Sequence, residues 1–321
     1  MLNEVEEEKL KEPLISVIIP AYNAEKTIEN TLQSVCLSTW RNLEIICVDD
    51  GSTDSTYHVI SHYDDTRVIP LFQENKGVSV ARNTGIDNSH GAYITFVDAD
   101  DMVSPEMIAI LFKMICISPD VDIASCSFTT ESFDKLDSSK RRVLKSSKEA
   151  FDEHCFKTYI WGKLYKKSFI GKTRFAEGVN FGEDKVFLTE LKGKCRKACV
   201  SDSKLYFYYQ NPFSITHQKN PYASCDRTVE YCLKRMDEVD RSQQELLVRA
   251  YKDAFTYRYS NRHTTNYKDY KKRARELMRQ CDKHSEILPL KKRVLYLTMS
   301  TFPFLYTFFR WTGEVRARFF H

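Results

Sequence analysis

No two cysteines in this chain have the two-residue spacing of a zinc clip or a redox-active dithiol. Ten cysteines are present, but Cys36, Cys47, Cys116 and Cys126 sit in apolar runs, where a thiol behaves as a small hydrophobe. Cys195 and Cys199 have no matching His/Cys pair, so reduced core cysteines in a cytosolic compartment are expected. The first residues lack an apolar stretch after a basic start, which predicts no secretory signal. No apolar run reaches the ~20 residues that span a bilayer. Basic residues are scattered and no motif that reads RNA or DNA is present, so nucleic acid is not an expected partner.

What is present is ordinary in bulk and specific in pattern. At 321 residues the chain is long enough for one large domain and an appendage. Hydrophobic residues make up 42% and charged ones 29%, the balance of a soluble globular protein. The net charge of +4 conceals an asymmetry: Glu4, Glu6, Glu7 and Glu8 open the chain, whereas Lys and Arg crowd its C-terminal stretch.

Residues 14–20, 43–48, 67–72 and 92–97 are apolar, β-branched or aromatic runs that read as strands. Between them lie a helix with Ile28, Leu32, Val35 and Cys36 on one face, a second from the capping residues Ser52, Thr53 and Asp54 to about Tyr63, and a third over 78–88. A strand–helix unit about every 25 residues predicts an α/β fold, a mostly parallel central sheet with helices on both faces. Pro70 places the third strand near the sheet edge. A helix over 105–116, a strand over 121–127, a helix opening at 181–188 and a strand over 198–209 extend the domain, and the polar stretch 129–148 is expected to be a mobile loop. From about residue 223 the segments are helical and charged. The expected organisation is a charged lead-in over 1–12, an α/β domain over 13–220 and a helical C-terminal region over 221–321.

The strand over 92–97 runs into Asp98, Asp100 and Asp101. In extended backbone, residues two apart point to one side, so Asp98 and Asp100 are expected to face one way and Asp101 the other. Paired carboxylates repel unless a cation lies between them, and Mg²⁺ or Mn²⁺ suits such hard oxygen ligands. The same residues also suit an acidic turn into a helix with Ser104 as N-cap, Pro105 at the first position and Glu106 in the first turn. Parallel sheets bind ligands beyond the carboxyl ends of their strands. Tyr22 and Asn23, Asp49 to Gly51, Glu74 to Gly77 and Asp98 to Asp101 all fall there, which predicts one site at one edge.

Six motifs then occur in order: Val17-Ile18-Ile19-Pro20-Ala21-Tyr22-Asn23, Val48-Asp49-Asp50-Gly51-Ser52-Thr53-Asp54, Asn75-Lys76-Gly77-Val78-Ser79-Val80-Ala81-Arg82-Asn83-Thr84-Gly85, Phe96-Val97-Asp98-Ala99-Asp100-Asp101, Trp161-Gly162-Lys163-Leu164-Tyr165 and Gly182-Glu183-Asp184. This ordered set, spread over about residues 13–220, resembles the family 2 inverting glycosyltransferases of the GT-A (Rossmann-like) fold, of the type that builds bacterial surface polysaccharides. The resemblance implies a nucleotide-sugar donor, by default a UDP-sugar, a saccharide or lipid-linked saccharide acceptor, and Mn²⁺ or Mg²⁺ as cofactor. It implies that Pro20, Tyr22 and Asp50 line the nucleotide pocket, with the Asp50 carboxylate accepting from the uracil ring N–H. Asp98 and Asp100 would hold the diphosphate through the metal, Asp100 by direct coordination. Asp184 would be the general base, with Glu183 as the alternative.

Other readings of these residues stay open at this point. Asp50 also suits an Asx-type turn before Gly51, and Asp184 the favourable charge at a helix start. Lys76, Arg82 and Asn83 either contact the donor or brace the metal loop. Trp161 and Lys163 are candidates to flank the acceptor, Trp161 equally a core ring. His217 is a candidate phosphate or metal contact, or structural.

Lys291-Lys292-Arg293 precede an apolar run of about 16 residues, broken by Thr, Ser and Pro and followed by Arg310-Trp311. Basic flanks and an edge Trp suit an interfacial segment on an anionic membrane, and the same run suits a helix docked on the domain. The expected location is the cytoplasm, with residues 290–321 the candidate for peripheral attachment at the inner face of the plasma membrane. Three competing functions are weaker. A haloacid-dehalogenase-type phosphatase carries its Asp-x-Asp after the first strand, not the fourth. A nucleotidyltransferase wants a glycine-rich loop where residues 20–26 read Pro-Ala-Tyr-Asn-Ala-Glu-Lys. A non-catalytic sugar- or nucleotide-binding module would not need the full set of acidic positions.

Overall fold

β1 (Ile15–Ala21) and β2 (Leu43–Asp50) are buried along their whole length, as Ile- and Val-rich strands covered on both faces must be. The computed structural model describes residues 12–132, 142–146, 159–179, 181–210 and 222–239, with single helical positions between 243 and 279. The lead-in 1–11, His217 and the candidate membrane segment 290–321 lie outside the described residues.

β1 pairs in parallel with β2 from Ile15↔Leu43 to Ala21↔Asp49. On its other side it pairs in parallel with β4 (Tyr93–Phe96), from Ile15↔Tyr93 to Ile18↔Phe96. β3 (Val68–Gln73) runs parallel to β2 and forms the sheet edge, where Pro70 costs no ladder bond on the open side. Helices α1 (Ile28–Cys36), α2 (Thr56–Ser61) and α3 (Val78–Asp87) make the crossovers. Alternation along the strands sorts the two faces. Val17, Ile19, Ala21, Ile45 and Cys47 pack with Ile28, Leu32 and Val35 of α1 and Ile60 of α2, while Ile46 and Val48 pack with Ala81 of α3.

The other half of the sheet is mixed. β8 (Lys163–Lys166) runs antiparallel to β4, and β6 (Val121–Thr129) antiparallel to β8 and parallel to β9 (Lys197–Phe207). The short β5 (Met102–Val103) and β7 (Arg142–Ser146) are antiparallel to β9. The strand order is β3-β2-β1-β4-β8-β6-β9-β5, with β7 also paired to β9. Two readings of the sequence are corrected here. The stretch 129–148 carries β7 and is not a loop throughout, and the mostly parallel pattern gives way to antiparallel neighbours beyond β4. β5, β7 and β8 are two to five residues long, too short for alternation to announce them. α4 (Met107–Ile115) buries Met107, Ile108, Leu111 and Met114 in the core that also holds Trp40. It starts just after Ser104, whose hydroxyl accepts the Glu106 N–H at 3.3 Å.

The chain divides into two compact units, Met1–Glu177 with Lys194–Ser214 and Gly178–Gly193 with Ile215–His321. The sheet and a short α5 (Lys167–Ile170) belong to the first. In the second, α6 (Glu183–Lys192) and α7 (Tyr222–Arg235) are joined by Arg235, which donates to Glu190 at 2.8 and 2.9 Å, and by the Thr228 hydroxyl on the Phe181 carbonyl at 2.6 Å. The helix carrying Glu183 and Asp184 thus groups with C-terminal residues and not with the sheet. Among the described residues no cysteine is in a disulfide, and burial pushes the Cys36 thiol up to about 12 and Cys47 further. Cys116 is exposed, against expectation, because it caps the end of α4. Among the described residues no helix is long and apolar enough to cross a membrane.

Gly85 shows why the third motif ends in glycine. α3 crosses β1 so closely that a Cβ there would lie 2.4 Å from Ile18 Cγ2. Gly85→Ala is expected to lower stability by about 1–3 kcal/mol, the usual cost of overpacking, read as a lower denaturation midpoint. An unchanged midpoint would mean that α3 yields freely at this crossing.

Candidate active site

Because β1 to β4 are parallel, their carboxyl ends share one edge, and the loops leaving them bind one another. Asn23, after β1, adopts a left-handed φ of 49°. Its N–H donates to Ser52 Oγ at 2.9 Å and its Oδ1 accepts the Thr53 N–H at 2.8 Å, joining the first loop to the second. Gly51 has a φ of 68°, and a Cβ on it would lie 2.7 Å from the Asn75 backbone nitrogen, so the second loop also abuts the third.

The two adjacent aspartates of β2 divide the work by facing opposite ways. Asp49 makes the local turn, accepting from the Ser52 N–H at 3.2 Å and from the Ser52 hydroxyl. Burial raises its pKa against those bonds. The Asx-type turn read for Asp50 therefore belongs to Asp49. Asp50, 3% exposed, accepts from Gln73 Nε2 at 2.7 Å, the Lys76 N–H at 2.9 Å and the Gly77 N–H at 2.8 Å. Thr84 in turn donates to Gln73 at 2.7 Å. A carboxylate offers about four acceptor positions, so Asp50 keeps one after fixing the loop into α3. Pro20 is buried two residues past the last β1–β4 rung, where its missing N–H breaks no pairing with β4. Tyr22, 41% exposed, and Lys76 are open to solvent.

β4 ends at Phe96 and the chain then turns, with the Asp98 carbonyl accepting the Asp101 N–H at 3.1 Å. Strand alternation consequently does not decide where Asp98 and Asp100 point, which corrects the extended-backbone reading. Three elements hold this turn. Thr31 of α1 donates its hydroxyl to the Ala99 carbonyl at 3.0 Å. Arg82 of α3 donates to Asp98 Oδ1 at 3.0 Å. Tyr206 of β9 accepts the Asp98 N–H at 3.2 Å and donates to Asp101 Oδ2 at 2.6 Å. Arg82 has a 4% exposed side chain, and its guanidinium lies 5.4 Å from the Phe175 ring centre. Of the two roles open to it, the geometry makes it a brace for Asp98. Asn83 beside it exchanges two hydrogen bonds with the Phe175 backbone, at 2.8 and 3.0 Å, and is likewise structural.

Asp101 is fully buried and Asp98 and Asp100 are partly exposed. Burial, then repulsion from Asp98 and Asp100, pushes the Asp101 carboxyl up to about 9. Burial and the Asp101 charge raise the Tyr206 phenol well above its usual value. Among the described residues no group of three or more His, Cys, Asp or Glu side chains is arranged to hold a metal alone. The two partly exposed carboxylates still fit Mg²⁺ or Mn²⁺, which commonly take one or two carboxylates and complete their shell with water and substrate phosphates.

The remaining residues separate. Trp161 is 5% exposed and stacks on Tyr159, Tyr206 and Tyr208, with ring centres 4.2, 4.3 and 5.6 Å away. Lys163 is 3% exposed and donates to the Tyr159 and Trp161 carbonyls at 2.6 and 3.3 Å. Neither offers an open face to a sugar: Trp161 is held in an aromatic stack, and Lys163, the first residue of β8, holds the backbone carbonyls just before it. Glu183 and Asp184 are the first two residues of α6, partly exposed, behind Gly182 at a φ of 74°.

The family model for glycosyl transferase family 2 matches residues 16–188. The uncharacterized glycosyltransferase EpsJ of Bacillus subtilis (strain 168) is 33% identical over 218 residues, 64% of this chain and 63% of that protein, so the match spans less than two thirds of the relative. In fold, the chain is similar to S. aureus TarS 1–349 in complex with UDP-GlcNAc, with a TM-score of 0.69 and 16% identity over 95% of this chain and 91% of that one. It is also similar to a mannosyltransferase from Pyrobaculum calidifontis in complex with GDP-Man and Mn²⁺, with a TM-score of 0.54 and 16% identity over 93% and 87%. With the family match covering more than half of its length and the GT-A sheet beneath its motifs, this chain belongs to glycosyl transferase family 2.

Proposed function

We propose that this protein is an inverting, metal-dependent glycosyltransferase that moves a sugar from a UDP-sugar to a hydroxyl of a saccharide or lipid-linked saccharide in the assembly of a bacterial surface polysaccharide. The observation that carries this reading is the acidic turn, with Asp98 and Asp100 held partly exposed at the end of β4 beside the polar ends of β1, β2 and β3. Family membership supports the reaction class. The UDP-GlcNAc bound by TarS and the GDP-Man and Mn²⁺ bound by the mannosyltransferase support the donor class and the ion.

In this reading Pro20 and Tyr22 line the nucleotide pocket, and the remaining acceptor position of Asp50 takes a ring N–H of the base. Lys76, exposed on the loop that Asp50 fixes, is the cation for the donor phosphates, while Arg82 acts through Asp98. Asp98 and Asp100 would hold Mn²⁺ or Mg²⁺. Bound there, such an ion supplies positive charge against the diphosphate as it leaves. Asp184 takes the proton of the acceptor hydroxyl while its oxygen bonds to the anomeric carbon, with Glu183 as the alternative base. The bond from that carbon to the diphosphate breaks in the same displacement, so the configuration inverts and no carboxylate nucleophile is required. Peripheral attachment through residues 290–321, at the cytoplasmic face of the membrane, would bring the enzyme to a lipid-linked acceptor.

Two measurements test this. In thermal-shift assays UDP is expected to raise the melting temperature by mass action, only with Mn²⁺ present and not in Asp100→Ala. No rise with any nucleotide would overturn the reading. Asp184→Asn is expected to keep the UDP-dependent rise while sugar transfer falls about 10²–10⁴-fold, measured as UDP release from a panel of UDP-sugars. Transfer at the wild-type rate would remove Asp184 as the base.

A further inference from the structure

One hydroxyl ties the first acid of the 98–101 turn to the last. Tyr206 Oη accepts the Asp98 N–H at 3.2 Å and donates to Asp101 Oδ2 at 2.6 Å, while Asp101 Oδ1 accepts the Tyr209 N–H at 2.8 Å. The backbone repeats the tie, since β5 follows the turn directly and pairs with β9 at Met102↔Phe207 and Val103↔Tyr206. One residue on, the Ser104 N–H donates to the Leu205 carbonyl at 2.9 Å. The Tyr206 ring is fully buried and stacked on Trp161 at 4.3 Å and 11°, so its hydroxyl is held where it stands.

We propose that Tyr206 and Asp101 are positioning residues that set the geometry in which Asp98 and Asp100 receive a divalent cation, with Asp101 itself no ligand. The inference rests on the reading of Asp98 and Asp100 as the ion's carboxylates. Both Asp101 oxygens accept from donors inside the protein, Tyr206 of β9 and the Tyr209 N–H just beyond it, so this acid faces away from any ion at the turn's open side. Its work is to pin the turn. Losing a group that orients a metal ligand through a hydrogen bond typically costs about 10–100-fold in metal affinity. The Trp161 stack has the same purpose one layer further out: it fixes the ring that fixes the hydroxyl. This gives Trp161 and the buried ammonium of Lys163, which holds the Tyr159 and Trp161 carbonyls, a role without any contact to sugar.

Tyr206→Phe removes the hydroxyl and keeps the ring. It leaves Asp101 Oδ2 without its Tyr206 donor and the Asp98 N–H without its acceptor. The control is Tyr165→Phe, which deletes another fully buried phenol, one that donates to the Ile160 carbonyl at 2.8 Å and not to the acidic turn. Mn²⁺ binding is followed by electron paramagnetic resonance in the presence of UDP, with the melting temperature recorded for each variant. Both phenylalanine variants are expected to melt lower than wild type. Only Tyr206→Phe is expected to bind Mn²⁺ about 10–100-fold more weakly, and Asp100→Ala not to bind it. Asp101→Asn, which exchanges one of the two acceptors for a donor, is expected to weaken Mn²⁺ in the same direction and serves if Tyr206→Phe does not fold. Wild-type Mn²⁺ affinity in Tyr206→Phe, or an equal loss in Tyr165→Phe, would overturn the positioning role while leaving the metal reading in place. Absence of Mn²⁺ binding in the wild type would overturn the metal reading itself.

Discussion

Like charges crowded at the end of β4 set the terms for the rest of the site. Carboxylates set close together repel, and in the turn bearing Asp98, Asp100 and Asp101 burial and that repulsion push the Asp101 carboxyl up to about 9. The structure answers from three sides, with Thr31 of α1 on the Ala99 carbonyl, Arg82 of α3 on Asp98 and Tyr206 of β9 on Asp101. Each of these groups comes from an element other than β4, Tyr206 from 105 positions along the chain. Arg82 illustrates the mutual dependence. A guanidinium as buried as this one is costly unless paired, and Asp98 is one of its partners.

The same device recurs along the carboxyl edge and at the opposite end of the sheet. Asp50 ties the loop before α3 to β2, and Asp49 closes the turn before α2. At the other end Glu44 accepts from Ser16 Oγ and from the Gly91 N–H at 2.9 Å, anchoring the chain as it enters β4. Buried polar groups with satisfied hydrogen bonds restrict a structure to one arrangement, because every partly bonded alternative leaves a desolvated donor or acceptor. The loops at the carboxyl edge are held here by carboxylates in the protein interior rather than by their own propensities.

Much of this was legible in the sequence, for a local reason. β1, β2, β3, β6 and β9 and the helices α1, α3 and α4 are long enough to repeat their period, so each announces its type and its buried face, and the short β4 was announced by the apolar run that continues to Val97. Pro70 announces an edge, and the observed edge is β3. The gathering of the polar clusters followed from the same pattern, since a parallel ladder brings its carboxyl ends to one edge. β5, β7 and β8 escaped because a strand of two to five residues does not repeat a period, and their pairing depends on distant strands, β9 for β5 and β7 and β4 and β6 for β8. Asp49 was overlooked as the turn-maker because two adjacent aspartates look alike until the strand assigns them to opposite faces.

By itself, then, the sequence determined the strand–helix alternation, the clustering of polar residues at one sheet edge and the family whose motifs lie there. These are periodicities and spacings, written locally. The tertiary structure alone decided what each polar side chain does. It made Arg82 a brace, buried Trp161 and Lys163, turned Asp98 to Asp101 out of the strand and joined Asp101 to Tyr206. Those outcomes depend on which groups meet in the folded chain, Asp101 and Tyr206 from 105 positions apart, and packing, not spacing, settles such meetings.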